Sequence, residues 1–454
     1  MPAGRAGRRA LFGVLFLLSG AAGLVYEQLW IRELQHVFGS TIHSITTVVA
    51  AYMGGLGLGA WVMGRRADAH RNPARLYGVL ELAIGLFGLA SPWIFRAIGS
   101  GYLAFARAAE PGLWAATAVK ALAAFLVMLV PTFLMGATLP VLTRAFAGPN
   151  ARGLRRELAL FYGLNTVGGV AGCALAGYVL VERVGMRPAL LATGVLNLLL
   201  GAVALALVRG RPALTTAPIE ADAEAPSADA SAATRRTAVW LIGITAFASL
   251  LFEIAWTRVL ILVVGSSTYA FTTMLACFLL GIGIGSLVAV GRGLPAEVLL
   301  ERAALVLGSV AALASLLFPF FRMLPTYIVF TLRLEDVGPS FLLALQAIPI
   351  AVVVIPPAIG FGMAFPLLTE LASRRDGGPG QETGRAYLAN TAGSITGSVV
   401  TGFVLIHLVG AERTLVLGVA ITVAATVLLM RQLGRERGRR PSSPLQVLSC
   451  RNPR

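Results

Sequence analysis

Leu24-Val25-Tyr26-Glu27-Gln28-Leu29-Trp30-Ile31-Arg32 returns 226 residues later as Leu250-Leu251-Phe252-Glu253-Ile254-Ala255-Trp256-Thr257-Arg258. In each copy a carboxylate, a tryptophan and an arginine sit in an otherwise largely apolar run. At the same offset Gly39-Ser40 matches Gly265-Ser266, and Gly55-Leu56-Gly57-Leu58-Gly59 matches Gly281-Ile282-Gly283-Ile284-Gly285. Pro131, Gly136, Pro140 and Thr143 likewise match Pro357, Gly362, Pro366 and Thr369. One residue less brings Tyr162, Asn165-Thr166, Gly168, Gly172, Gly177 and Gly185 onto Tyr387, Asn390-Thr391, Gly393, Gly397, Gly402 and Gly410. So small a drift over so long a chain marks a duplication.

The surroundings of the repeat decide its solvent. The chain of 454 residues is 57% hydrophobic and 13% charged, with a mean hydropathy of +0.80. A soluble domain carries about 25% charged residues, so a water-soluble enzyme is excluded. Spans of about 20 residues fit at 10–35, 43–63, 76–97, 115–143, 158–181 and 188–208, and again at 238–262, 268–291, 302–321, 338–369, 386–406 and 413–430. In a bilayer these must be helices, since no water is present to satisfy open backbone groups. The expected fold is an all-α polytopic membrane protein of about twelve transmembrane helices in two six-helix repeats. Each unit has an even number of spans, so the copies run parallel, related by an axis along the membrane normal.

The units are 1–208 and 238–430, with a cytoplasmic linker at 209–237 and a basic tail at 431–454. The linker holds Pro212, Pro218 and Pro226 with Glu220, Asp222, Glu224 and Asp229, and reads as disordered. The first span resembles a signal peptide in its small residues Ser19 to Gly23, but its motif recurs deep in the chain, which argues for a span. Placing the N-terminus in the cytoplasm puts 27 of the 37 basic side chains on that side, 7 on the other and 3 within spans. The positive-inside rule therefore sets both termini in the cytoplasm. The net charge of +16 reflects this sidedness and calls for no nucleic acid. The tail suits anionic lipid headgroups.

Gly64-Arg65-Arg66-Ala67-Asp68-Ala69-His70-Arg71, between the second and third spans, resembles the cytoplasmic loop of the major facilitator superfamily. The Gly-Leu-Val-Tyr-Glu-x-x-Trp-x-Arg motif, Val37-Phe38-Gly39-Ser40-Thr41 and the glycine-rich second span together resemble the membrane portion of bacterial fused major-facilitator/spermidine synthase-like proteins. The resemblance covers nearly the whole chain. It implies the bacterial inner membrane and a transporter-like module whose spans 1, 4, 7 and 10 line a central cavity. The Arg-rich stretch from Met430 to Arg454 has no room for the soluble synthase-like domain of the fused relatives, so aminopropyl transfer is not implied.

Ionisable groups within spans cost about 2.5–3.5 kcal/mol each at the helix centre and usually face a cavity or partner. Glu27 and Glu253 lead, each followed by Trp30 or Trp256 on a neighbouring ridge. A carboxylate beside an aromatic wall suits an organic cation; the same group could hold a coupling proton or lock the packing. Arg32 and Arg258 are expected near the interface, or in contact with the carboxylate of the other half. Lys120, the only lysine, either bridges to Glu27 or reaches the headgroups, and Glu81 is expected at the interface. Pro131, Pro140, Pro357 and Pro366 are expected to interrupt spans 4 and 10, as gates or as static kinks, since proline removes a backbone donor. Asn165 and Asn390 read as interhelical anchors or substrate contacts. The four histidines (His36, His43, His70, His407) show no metal-ligand spacing, the glycine runs read as packing, no cofactor motif is present, and no catalytic constellation is visible.

The expected function is alternating-access transport of a small cationic solute. An amine of the polyamine kind is implied only by the resemblance. The alternative is a membrane scaffold that recruits a soluble synthase-like subunit.

Overall fold

The computed structural model describes residues 3–38, 41–67, 70–146, 151–209, 230–264, 268–289, 294–333, 338–373 and 379–439. The linker residues 210–229, the Gly39-Ser40 and Gly265-Ser266 pairs, and the tail beyond Arg439 with Cys450 lie outside them. All regular structure described is helical. The first half contains α1 (Ala3–Phe38), α2 (Thr41–Arg66), α3 (Pro73–Ala109), α4 (Leu113–Phe146), α5 (Ala151–Leu175) and α6 (Met186–Val208). The second contains α7 (Ala232–Val264), α8 (Thr268–Val288), α9 (Ala296–Leu332), α10 (Pro339–Ala372) and α11 (Pro379–Val399). A last stretch, Ile406–Arg439, breaks at Gly410, where φ is 83° and ψ 165°. Residues 406–409 complete α11, and 411–439 form α12.

Among the described residues, eleven helical stretches are long and apolar enough to cross a membrane, the last being α11 and α12 taken together. Twelve spans result. The break at Gly410 has its twin at Gly185 (φ 86°, ψ 163°), between α5 and α6. Only glycine adopts this backbone readily. Each break follows a π-helical turn, Ala176–Leu180 or Val400–Leu405. The duplication thus extends to backbone irregularities that hydropathy cannot show.

Helix packing repeats in register. In each half the first helix packs on the fifth, the second on the fourth and the third on the sixth. Lipid supplies no hydrophobic drive between helices, so small residues that let backbones approach must do so. Gly168 and Gly172 of α5 lie against the carbonyls of Leu17 and Ala21, as Gly393 and Gly397 of α11 lie against those of Gly243 and Phe247. Between the halves, the principal seams are α2 with α11 and α5 with α8. There Gly57 receives Thr391 and Gly283 receives Thr166, while Gly402 receives Thr46 and Gly177 receives Thr272. The second member of each pair is the first with the halves exchanged. That exchange is the signature of a two-fold axis relating parallel repeats.

Arg9 pairs with Glu157 at 2.8 Å, and Glu436 accepts from Thr234, so α1, α5, α7 and α12 share one end, which carries the described termini. At that end each half has its own core, around Phe12, Tyr77 and Phe161 in one and Leu241, Leu299 and Leu429 in the other. Elsewhere one cluster joins Val25, Leu29 and Ile45 to Ile261, Phe271 and Leu275 across the halves.

A methyl added at Gly57 would overlap the Thr391 side chain, whereas one at Gly283 would stand 3.0 Å from Thr166 Cγ2. Gly57→Ala should therefore cost about 1–3 kcal/mol, in the range of overpacking, and Gly283→Ala clearly less. Thermal unfolding of the purified variants in detergent checks the order; equal melting temperatures would defeat this account of the seams.

Candidate functional site

The α1 motif divides by helical geometry. Tyr26 and Trp30, one turn apart, stack at 4.9 Å and face α3, where Trp30 meets Phe87 at 5.9 Å and Phe95 at 6.3 Å, ring to ring. In α7, Trp256 packs on Phe252 at 5.0 Å and on Phe278 of α8 at 6.4 Å. Both indoles are buried, Trp30 in the cluster that joins the halves and Trp256 in one built from the second half. This corrects the expected aromatic wall: at a spacing of three the indole turns into the bundle, and its area is better used filling the core.

Glu27 and Glu253 are 3% and 7% exposed, so neither looks onto lipid. The charge of Glu27 reaches Glu253, and both reach Cys173 on α5. The two acids, related by the repeat, are thus within electrostatic reach of each other. Among the described residues neither carboxylate has a hydrogen bond or an ion pair. Neither acid is therefore held by an ion pair among the described residues.

Gln28, beside Glu27, donates through Nε2 to Cys173 Sγ at 3.0 Å. The Thr272 hydroxyl of α8 lies 3.5 Å from Gln28 Oε1, donating to it, and the Cys173 thiol lies 3.7 Å from the Thr272 carbonyl. One amide therefore ties α1, α5 and α8 together next to the acid pair. The repeat has Ile254 in place of Gln28. That mismatch inside a matched motif was the available signal, and motif matching passed over it. Tyr52 of α2 also lies within electrostatic reach of Glu27. Towards the terminal end, Tyr162 bonds Ser286 across the α5–α8 seam and lies within reach of its repeat mate Tyr387.

Lys120 lies away from this pairing, its ammonium 4.8 Å from the centroid of Tyr102 and within reach of His43. His43 stacks on Phe403 and His407 of α11, both at 5.1 Å, at the end opposite the termini.

Pro131 and Pro140, and Pro357 and Pro366, lie within continuous helices, which corrects the expected interruption. Next to Pro131, the Thr132 hydroxyl donates to the Met128 carbonyl at 2.8 Å and lies 3.1 Å from that of Ala51 in α2, so this turn of α4 is tied to a neighbour. Asn165 lies against Gly20 in the α1–α5 seam. Asn390 is half-buried in the corresponding α11 segment. Glu81 is not interfacial: it is wholly buried, accepting from Ser19 Oγ and Asn197 Nδ2, each at 2.6 Å. Among the described residues no group of three His, Cys, Asp or Glu side chains is placed to hold a metal ion.

No family model and no curated protein sequence matches the chain. Solved structures do match. A bacterial homologue of the human lysosomal transporter Spinster, in an inward-facing unoccupied conformation, is 12% identical with a TM-score of 0.54, covering 95% of this chain and 98% of that one. A point mutant of the nucleoside transporter NupG is 14% identical with a TM-score of 0.53, covering 92% and 98%. A bacterial homologue of the iron transporter ferroportin, outward-facing, is 15% identical with a TM-score of 0.52, covering 93% and 99%. Identities this low carry the fold alone, and that fold is the major-facilitator one: twelve membrane-length helices in two parallel six-helix repeats.

Proposed function

We propose that this chain is a secondary transporter that carries a small organic cation by rocking its two halves about the Glu27–Glu253 level. The observation behind the reading is the acid pair: two buried carboxylates at matching positions of the two halves, within electrostatic reach of each other, with no cation paired to them among the described residues. A solute bearing one or two ammonium groups supplies the missing charge. Gln28 and Thr272, which meet beside the pair, add a polar rim. Asn165 and Asn390, with Tyr162 and Tyr387 one turn before them, border the route towards the terminal end.

The resemblance to the fused synthase-like proteins favours an amine of the polyamine class as this solute. Pro131, Pro140, Pro357 and Pro366 lie within α4 and α10 without breaking them, and these helices flex as the halves rock. The arginine distribution favours a cytoplasmic terminal end, with the basic surface on anionic lipid, and the resemblance favours a bacterial inner membrane.

Removing one partner of a buried charge pair costs about 2 kcal/mol or more, about 30-fold in affinity. Glu27→Gln and Glu253→Gln should each weaken spermidine binding by at least that factor and abolish its uptake in proteoliposomes. Unchanged, pH-independent flux in both variants would remove the acids from the site. Sidedness is checked separately. Single cysteines placed at the start of α1 and the end of α12, in a chain otherwise free of cysteine, should resist a membrane-impermeant thiol reagent in intact cells and react after lysis. Labelling in intact cells would reverse the orientation.

A further inference from the structure

The acid pair leaves a third buried carboxylate unused. Glu81, 0% exposed, sits inside the first half between α1, α3 and α6. The groups that face it are Ser19 and Tyr26 from α1, Asn197 from α6 and Tyr77 one turn back on its own helix. The cations of α4, Lys120 and Arg144, stand near the two ends of that helix. Polar donors surround the acid on three sides, in a position sealed from lipid.

The duplication supplies an internal control. At an offset of 226 the buried positions of α3 and α9 coincide, with Tyr77, Glu81, Ile84 and Gly88 falling on Ala303, Leu307, Val310 and Ala314. Glu81 is thus replaced by Leu307, Tyr77 by Ala303, Tyr26 by Phe252 and Tyr52 by Phe278, all of them buried. Ser19 corresponds to Thr245, and Asn197 to Thr422 at an offset of 225. Both threonine hydroxyls bond the carbonyl four residues back on their own helix. The same scaffold therefore closes with an apolar interior, and the polar cluster of the first half is not required by the fold.

Two further features suit the cluster to a proton. The Tyr26 hydroxyl and Asn197 Oδ1 are buried with no partner among the described residues. Protonation turns one carboxylate oxygen from acceptor into donor, and Asn197 serves both states: its amide donates to the anion and, turned over, accepts from the acid through Oδ1. Tyr52 lies within reach of both Glu27 and Tyr26, and Tyr26 within reach of Glu81, so hydroxyl groups line the way from the acid pair.

We propose that Glu81, with Ser19, Tyr77 and Asn197, forms a proton-binding site inside the first half, distinct from the Glu27–Glu253 pair. Resting on the transporter reading, this site couples solute movement to proton movement: the carboxylate takes up one proton on one side of the membrane and releases it on the other.

The test uses the full chain in lipid vesicles without solute. An infrared difference spectrum between mildly acid and mildly alkaline buffer should contain the carbonyl band of a protonated carboxylic acid. Glu81→Gln should remove a component of that band, and Glu81→Leu, which copies the folded environment of Leu307, should remove the same one. The double variant Glu27→Gln/Glu253→Gln should retain it. A spectrum unchanged in both Glu81 variants overturns the proposal. So does a component that responds to replacing choline by sodium at constant pH, which marks a sodium site. A second arm measures labelled spermidine. Glu81→Gln should keep counterflow while losing accumulation driven by a pH gradient by about tenfold, within the ordinary range of coupling. Retained gradient-driven accumulation overturns the coupling. Absence of spermidine transport in the wild type fails the substrate reading and leaves the infrared result to stand by itself.

Discussion

Close backbone approach at glycine is the constraint on which this architecture depends. Apolar side chains gain nothing by leaving lipid for one another, so a bundle of this kind coheres where helices come near enough for dispersion and short polar contacts. The run Gly55, Gly57, Gly59 shows the economy of the solution. Gly55 and Gly59, one turn apart, admit Thr132 and Phe133 of α4 in the same half, whereas Gly57, on the other face, admits Thr391 of the opposite half. Three glycines on one helix thereby fix both the internal packing of a half and its register against the other.

Most of the fold was legible in the sequence because duplication leaves a pattern that hydropathy alone does not. The offset of 226 gave the number of units, their size and their parallel sense. Gly185 and Gly410 were matched as residues, but their shared backbone conformation and the π turns before them depend on local hydrogen bonding that the sequence does not display. The prolines misled for a related reason. Proline forfeits one hydrogen bond, yet in α4 and α10 neighbouring helices hold the chain straight enough for helical geometry to continue.

The site was legible in part. Glu27 and Glu253 stood out because carboxylates in apolar runs are rare, and both are buried within electrostatic reach of each other. Their tryptophans stood out equally and turn elsewhere, since a spacing of three leaves the facing direction undecided until the neighbours are known. Glu81 lies early in its span, and an early position reads as interfacial only if the helix begins at the interface. Here α3 starts at Pro73 and the bundle closes over the acid. The places where the copies differ, Gln28 against Ile254 and Glu81 against Leu307, mark chemistry that the shared scaffold does not demand.

The single extended glycine between α5 and α6, and its twin between α11 and α12, leave almost no slack. In each of these hairpins the near ends of the two helices are held together by a connection too short to let them part. Any large displacement of one half against the other must then be absorbed elsewhere along the chain. The halves are joined covalently only once, between α6 and α7, so each hairpin can ride as a fixed body with the half that carries it.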